Sequence, residues 1–171
     1  MNFTIRRTGP NRIVVDEEVA RIEVIRRSGQ IVYFTIDKAD VELVSRLPRW
    51  FYCMGYCYAC VGDRQMNLTW LLAGRPDKGY VLHHVNGDKT DNRRENIQKI
   101  TWTQHHCLEK TKPNNTTGIR GISRYRDGAY CAVVGPNNER KVVSDLQTAR
   151  KLRAAFVRRV RESIFGAGTA P

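Results

Sequence analysis

The sequence predicts an α+β protein built from short antiparallel strands and a few helices. Runs of β-branched and aromatic residues recur along the chain and are separated by turn residues, which is the pattern of antiparallel strands. Other segments carry the start signals and the apolar periodicity of helices. The composition is globular, with 41% hydrophobic and 27% charged residues in a chain of 171. A chain of this length can bury a core without disulfides.

The first 47 residues predict a β-rich segment. Residues 21–26 and 31–36 are strand-like and are joined by the turn Ser28-Gly29-Gln30, and residues 40–47 have the length of one short helix. The run that follows at residues 50–61, WFYCMGYCYACV, is apolar throughout but too short to span a membrane. It predicts a buried strand or hairpin.

Residues 81–106, VLHHVNGDKTDNRRENIQKITWTQHH, contain all four histidines of the chain within 24 positions. The pattern predicts a strand over 81–85, a turn, a second strand over 96–101 and then a helix. Thr101 and Gln104 have the spacing of a capping box at the start of that helix. Because neighbours on a strand point to opposite faces, His83 and His84 cannot both ligate one ion in the same way. The pair therefore suggests one metal ligand and one general base.

The chain after the linker at residues 112–115 predicts a three-stranded antiparallel meander, with strands over 121–125, 129–134 and 140–143. A helix is expected to begin at Ser144, which has capping-box spacing to Gln147. Its apolar stripe consists of Ala149, Leu152, Phe156, Val160 and Ile164. The remaining faces are expected to carry its cations: Arg150, Lys151, Arg153, Arg158, Arg159 and Arg161. The predicted domains are a β-rich segment (1–47), a central core (48–112) and a C-terminal module (113–171).

Charge is concentrated toward the C-terminus. The whole chain has 29 Lys and Arg and 17 Asp and Glu, a net of +12. Residues 1–47 have eight basic and seven acidic side chains, a net of +1; residues 48–112 have ten and six, a net of +4; residues 113–171 have eleven and four, a net of +7. Such a surplus favours nucleic acid as partner. No apolar run is long enough to span a membrane, and the odd number of cysteines favours an intracellular, cytoplasmic protein.

Residues 81–106 resemble the HNH motif of the ββα-metal endonucleases. The tract Asn86-Gly87-Asp88 followed by Asp91-Asn92-Arg93-Arg94-Glu95-Asn96 is similar, nearly letter for letter, to the phage and intron-encoded branch of that family. The resemblance implies a first metal ligand, a general base, a central asparagine and a helix ligand, at His83, His84, Asn96 and His105 respectively. Within this tract, Arg93 and Arg94 are candidate clamps for a phosphate group.

Two positions depart from that branch, which usually has aspartate where His83 stands and often asparagine where His105 stands. Oxygen ligands suit Mg²⁺, whereas two imidazoles shift the preference toward Mn²⁺, Ni²⁺, Co²⁺ or Zn²⁺. The expected cofactor is one divalent ion per active site, Mg²⁺ or Mn²⁺ first, with Ni²⁺, Co²⁺ or Zn²⁺ as alternatives, and no small-molecule cofactor. Glu109, one helical turn after His105, could add an oxygen ligand.

Residues 114–166 resemble the plant ethylene-response (APETALA-type) DNA-binding domain. The tract Thr117-Gly118-Ile119-Arg120-Gly121-Ile122, the meander and the helix carry the resemblance, although Tyr130 stands where that domain usually has tryptophan. In that family the sheet lies in the major groove of DNA. The resemblance implies DNA contacts from the basic residues of this module: Arg120, Arg124, Arg126, Arg140 and Lys141.

These features predict a metal-dependent HNH endonuclease that hydrolyses double-stranded DNA, similar to the homing and related endonucleases of phages and mobile elements, acting in a bacterial or phage-infected cell. The alternative is a non-enzymatic, sequence-specific DNA-binding regulator with an inactive nuclease core. Buried thiols and a zinc site are the two interpretations of Cys53, Cys57, Cys60 and Cys107. The recognition sequence, nicking versus double-strand cleavage and the oligomeric state stay open.

Overall fold

The computed structural model describes residues 9–47, 49–109, 111, 113–135 and 138–166. Helices and small antiparallel sheets are both present, which confirms the α+β class. The chain divides into two compact units, Met1–Lys99 and Ile100–Pro171. The predicted three-part division, whose boundary residues Pro48 and Lys112 lie outside the described ranges, stays a prediction.

Two three-stranded antiparallel sheets build most of the first unit. The strands of the first sheet are β1 (Ile13–Val15), β2 (Val19–Ile25) and β3 (Ile31–Asp37), and those of the second are β4 (Trp50–Cys53), β5 (Tyr56–Val61) and β6 (Arg64–Asn67). The helices of this unit are α1 (Val41–Ser45) and α2 (Leu68–Ala73). The expected hairpin over residues 21–36 is confirmed, and the apolar run over 50–61 is a hairpin too.

The core of this unit lies where the two sheets and α2 meet. Alternate residues of β2 and β3 are buried, as expected for strands with one face toward the core. Phe34 and Leu68 are fully buried there, and the indole of Trp50 donates a hydrogen bond to the carbonyl of Val44 (3.1 Å). Ile97, from the histidine-bearing hairpin that follows, packs against this core.

That hairpin consists of β7 (Tyr80–His84) and β8 (Ile97–Thr101), and helix α3 (Trp102–Leu108) follows it directly. The predicted capping box is confirmed. The Thr101 hydroxyl accepts a hydrogen bond from the backbone N–H of Gln104 (3.2 Å), while the backbone N–H of Thr101 donates to the Gln104 side chain (2.8 Å). The strand–loop–strand–helix order expected from the histidine segment is present.

The second unit contains a sheet ordered β11-β10-β9 and a long helix. Their bounds are β9 (Ile122–Arg124), β10 (Tyr130–Val133), β11 (Arg140–Val143) and α4 (Leu146–Phe165). Ile122, Ala132 and Ala149 form the buried centre where α4 covers one face of the sheet. None of the helices in the described part of the chain is long and apolar enough to cross a membrane.

Two expectations about α4 are wrong. The N-cap is Asp145, whose carboxylate accepts a hydrogen bond from the backbone N–H of Thr148 (2.8 Å), so the Ser144–Gln147 box does not form. Arg153, which was expected on a solvated face, is only 5% exposed and lies among the buried residues of the helix. Its guanidinium bonds to backbone carbonyls, and that compensation cannot be seen in an apolar pattern.

Candidate active site

The end of β7 places two histidines in different surroundings. His84 is 6% exposed, whereas His83 is only partly buried. This difference follows from the strand, because successive side chains leave its opposite faces. Burial lowers the pKa of His84, an effect that the hydrogen bond from the ring to Asn92 partly opposes. His84 is therefore neutral near pH 7 and carries a free lone pair on one ring nitrogen.

Asn92 fixes the orientation of the His84 ring. Its side-chain amide nitrogen donates to the carbonyls of Lys89 (3.2 Å) and Thr90 (3.1 Å), which directs its oxygen toward the ring. That oxygen lies 3.3 Å from Nε2 of His84. Because a carboxamide oxygen only accepts, Nε2 must carry the proton in the neutral ring. The remaining nitrogen, Nδ1, is then the basic atom.

The side chain of Asn96 cross-links the backbone of the loop between β7 and β8. Its side chain accepts a hydrogen bond from the backbone N–H of Asn86 (3.0 Å) and donates to the carbonyl of Asp91 (2.7 Å). The side chain is 5% exposed. The expectation that Asn96 fixes the loop is confirmed, but the hydrogen bond to the His84 ring comes from Asn92 instead. The loop curls so that Asn92 returns beneath the strand end, and sequence spacing does not reveal this path.

An aromatic residue of the β4–β5 hairpin lies beside the buried histidine. The rings of Tyr56 and His84 are 6.2 Å apart with 45° between their planes, and Nζ of Lys89 lies 4.2 Å from the centre of the Tyr56 ring. The cation is thus held by a ring face. Sequence reasoning missed Tyr56, because only the packing of two hairpins brings it to His84.

The first sheet supports the same loop through backbone hydrogen bonds. The N–H of Thr35 donates to the carbonyl of Thr90 (2.8 Å), and the N–H of Asn92 donates to the carbonyl of Thr35 (2.7 Å). Thr35 and Asp91 form a short parallel bridge. The loop between β7 and β8 is therefore hydrogen-bonded to β3, the edge strand of the first sheet.

The two loop arginines are ion-paired within the first unit. Arg93 donates from Nε and Nη2 to the Asp91 carboxylate at 2.9 and 2.8 Å, and this pairing lowers the pKa of Asp91. Arg94 pairs with the buried carboxylate of Asp40 at 2.6 Å, while its backbone N–H donates to Asp37 (2.8 Å). These contacts fasten the loop to the segment that follows β3. A phosphate would have to compete with carboxylates for both guanidinium groups.

The remaining histidines belong to the second unit, on α3. Donor atoms of His105, His106 and Glu109 all lie within 4.8 Å of one another. Nδ1 of His106 lies 2.9 Å from Glu109, and the Arg120 guanidinium donates to the same carboxylate. Imidazole and carboxylate donors at this spacing suit a divalent transition ion. The adjacent Arg120 cation opposes such an ion, because both need the Glu109 carboxylate.

The predicted DNA contacts are not on one face of the C-terminal sheet. Arg124 pairs with Tyr130 in the strand register and Lys141 pairs with Ala132, which is on the side that α4 covers. Arg140 pairs with Val133, one residue further along β10. Because directly paired residues share a side and neighbours alternate, Arg140 lies on the opposite side. Arg126 lies in the turn before β10, and Arg120 lies in the loop before β9.

The described cysteines are free thiols. Cys57 is buried, and burial raises the pKa of its thiol, whereas a zinc ligand must be a thiolate. Among the described residues, the group of three or more metal donors on α3 includes no cysteine. These observations favour a buried thiol over a zinc ligand at Cys57, whereas Cys53 and Cys60 are exposed, so the expectation of buried thiols is wrong for these two residues.

Comparison with known families places a family model over the histidine segment. Residues 67–107 match the model of the HNH endonuclease family, and this stretch includes all four histidines. Comparisons with curated proteins and with solved structures gave no match. The family match supports a nuclease of the HNH type, and nucleases of this type generally use a divalent metal.

Proposed function

We propose that the protein is a metal-dependent HNH endonuclease that hydrolyses phosphodiester bonds in double-stranded DNA. The observation that carries this proposal is the buried His84 with its Nε2 directed at Asn92, inside the segment that matches the HNH endonuclease family. A neutral imidazole with a fixed tautomer is what a general base needs. A histidine that only packed in the core would not need the Asn92 carboxamide to orient its ring.

In the proposed reaction, Nδ1 of His84 accepts a proton from the water that attacks phosphorus. Asn92 keeps the proton on Nε2 and turns the ring, so it is a positioning residue. Asn96 connects the backbone of Asn86 with that of Asp91, which fixes the loop that brings Asn92 to the His84 ring. Orientation of this kind reduces the entropic part of the barrier.

His83 and His105 are the proposed metal ligands, and Glu109 is a candidate third. This assignment rests on the family match, which covers both histidines, and on the donor group that Glu109 shares with His105. A bound divalent ion would stabilise the negative charge that develops on the phosphoryl and leaving oxygens. The imidazole-rich donor set favours Mn²⁺, Co²⁺, Ni²⁺ or Zn²⁺ over Mg²⁺.

DNA binding is assigned to the second unit. Arg124, Arg126, Arg140 and Lys141 are exposed, and no described carboxylate pairs with any of them. The exposed side of α4 adds further cations at Arg150, Lys151 and Arg161, and also Arg158, which pairs with Glu162 at 3.9 Å. Unpaired cations on a net-positive unit suit phosphate contacts. Action inside a bacterial or phage-infected cell stays part of this proposal.

Supercoiled plasmid tests the proposal against its alternative, a DNA-binding regulator without activity. Purified protein is incubated with plasmid and each of Mg²⁺, Mn²⁺, Ni²⁺, Co²⁺ and Zn²⁺, and with EDTA as control. Conversion of the supercoiled plasmid to open-circular or linear DNA supports the nuclease if EDTA stops this conversion. Binding without conversion under every ion supports the regulator.

A further inference from the structure

The second unit contains a cavity whose described lining residues all belong to that unit. Its volume is about 580 Å³, within the range of small-ligand sites. Parts of α3, the loop before β9, the strands and α4 line it. Two arginines and one histidine are among the described lining residues, together with hydroxyl and amide side chains, and no aspartate or glutamate is. This composition is that of a site for an anion.

Arg153 supplies the positive charge. It is 5% exposed, its Nε donates to the carbonyl of Arg120 (3.1 Å) and its Nη1 donates to the carbonyl of Val133 (3.0 Å). Among the residues that the structure describes, no carboxylate lies within ion-pairing distance of it. The other lining arginine, Arg120, already pairs with Glu109. A buried cation without a counter-charge is costly, and a bound anion would remove that cost.

The loop before β9 is shaped around this guanidinium. Gly121 has a φ of +79°, and a Cβ at this position would lie 2.6 Å from Nε of Arg153. Gly118, three residues earlier, also has a positive φ (+69°) but would meet nothing within 4 Å. Asn115 and Thr117 stiffen the loop, since the Thr117 hydroxyl donates to the carbonyl of Ile122 (2.9 Å) and its N–H donates to Asn115 (3.0 Å). The close approach of this loop to Arg153 is therefore fixed by the glycine at position 121 and by the hydrogen bonds within the loop.

The rest of the lining indicates the kind of anion. Hydroxyl and amide groups lie at Thr116, Ser123 and Asn138, and Ile122 supplies apolar surface, while the Phe156 ring lies beside the Arg153 guanidinium, with 5.3 Å from Cζ to the ring centre. Phosphate oxygens match an arginine and several neutral donors. The cavity is larger than a lone phosphate, so its apolar surface leaves room for a flat, uncharged part of the same ligand.

We propose that this cavity binds the phosphate group of a nucleotide, with Arg153 as its principal anchor. The nucleotide is either free or the 5′-phosphorylated end of a DNA strand. This site goes beyond the proposed hydrolysis and does not depend on it.

Binding is measured on the full chain by calorimetry in EDTA, so that no metal-dependent cleavage occurs. The probes are a deoxynucleoside 5′-monophosphate, the matching nucleoside, and a short single strand with and without a 5′-phosphate. The monophosphate should bind and the nucleoside should not. A strand that binds only when phosphorylated identifies a DNA end as the source, whereas binding of the monophosphate alone identifies a free nucleotide. Failure of both phosphorylated probes to bind contradicts the proposal, whatever the plasmid assay shows.

Two pairs of variants locate the site. Ser123→Asp adds a carboxylate to the lining, and Ser28→Asp adds the same charge to an exposed turn of the first unit. Gly121→Ala displaces Arg153, whereas Gly118→Ala strains the same loop without contacting Arg153. Ser123→Asp and Gly121→Ala should each weaken monophosphate binding at least about tenfold, as expected for loss of a charge-assisted contact. Ser28→Asp and Gly118→Ala should bind as wild type does. Equal loss in Ser123→Asp and Ser28→Asp, with both variants folded by thermal unfolding, would place binding elsewhere.

Discussion

The arginines of the β7–β8 loop and those of the C-terminal sheet carry the same charge but differ in their contacts. Arg93 and Arg94 pair with Asp91 and Asp40 within the first unit. Arg124 and Arg140 have no carboxylate partner among the described residues and are exposed. The first pair therefore stabilises the loop beside His84, whereas the second has no described carboxylate partner that would compete with a phosphate. The arginines thus differ between the two units: those of the loop stabilise the fold, and those of the sheet are the ones proposed to bind DNA.

Apart from removal of the proposed base His84, removal of a proposed metal ligand should give the largest effect. His83→Ala and His105→Ala should each lower plasmid cleavage at limiting metal by at least about a hundredfold, since even outer-sphere changes at metal sites cost 10- to 100-fold. High metal concentration should restore part of the rate, because the affinity is what was weakened. Titration of activity with Mn²⁺ measures this. Activity of either variant equal to wild type at every Mn²⁺ concentration would remove that histidine from the metal site.

Neutralising the cations of the C-terminal sheet should be the next largest effect. In the quadruple variant Arg124→Gln, Arg126→Gln, Arg140→Gln and Lys141→Gln, DNA affinity should fall and the salt slope should flatten by about three to four if each cation meets a phosphate. The matched control neutralises four exposed cations of the first unit, Arg27, Lys38, Arg49 and Arg64. Binding against log salt concentration is the measurement. An equal change in both variants would leave net charge, and not the sheet, as the cause.

The loop arginines should show the opposite behaviour. Arg94→Gln leaves the Asp40 carboxylate buried without its partner, and the free energy of unfolding should fall by about 1–3 kcal/mol. Arg46→Gln removes an exposed pair with Glu42 and should cost about 0–0.5 kcal/mol. Urea unfolding of both variants gives the comparison. A flatter salt slope for Arg94→Gln at unchanged stability would show instead that Arg94 contacts DNA.

A smaller effect should appear in the pH dependence of stability. Arg93 holds the pKa of Asp91 below its ordinary value, so the ionised carboxylate favours the folded state. This contribution is present above the unfolded pKa of about 4 and is lost as pH falls through the lower folded pKa. Wild type and Asp91→Asn should therefore differ most near neutral pH and converge in acid. Thermal unfolding from pH 7 to pH 2.5 measures the difference; a gap that widens in acid would contradict the assignment.

Local signals in the sequence predicted much of the fold. The capping box at Thr101 and Gln104 and the strand pattern of β2 and β3 involve residues close in sequence, so the pattern alone carries them. The burial of Arg153 was not predictable, because its partners Arg120 and Val133 are 33 and 20 residues away. The side of the sheet on which each arginine lies also depends on the strand register, which the spacing of residues in the sequence does not determine.

The candidate site divides in the same way. The tract that resembles the HNH motif predicted His84 and Asn96 by position, and the structure shows the hydrogen bonds that Asn96 makes within the loop. Asn92, Tyr56 and Thr35 became part of the site only through the path of the loop and the docking of hairpins. Such contacts arise between segments that no periodicity links.

Single-turnover cleavage by His84→Ala, measured beside DNA binding, tests the central claim most directly. Loss of the general base should lower the cleavage rate by about 10²- to 10⁴-fold, while DNA affinity stays within about twofold, because the proton transfer occurs only in the transition state. Thermal unfolding confirms that the variant is folded. Cleavage within about tenfold of wild type, or a loss of cleavage that equals a loss of binding, would contradict the role of His84 as the base.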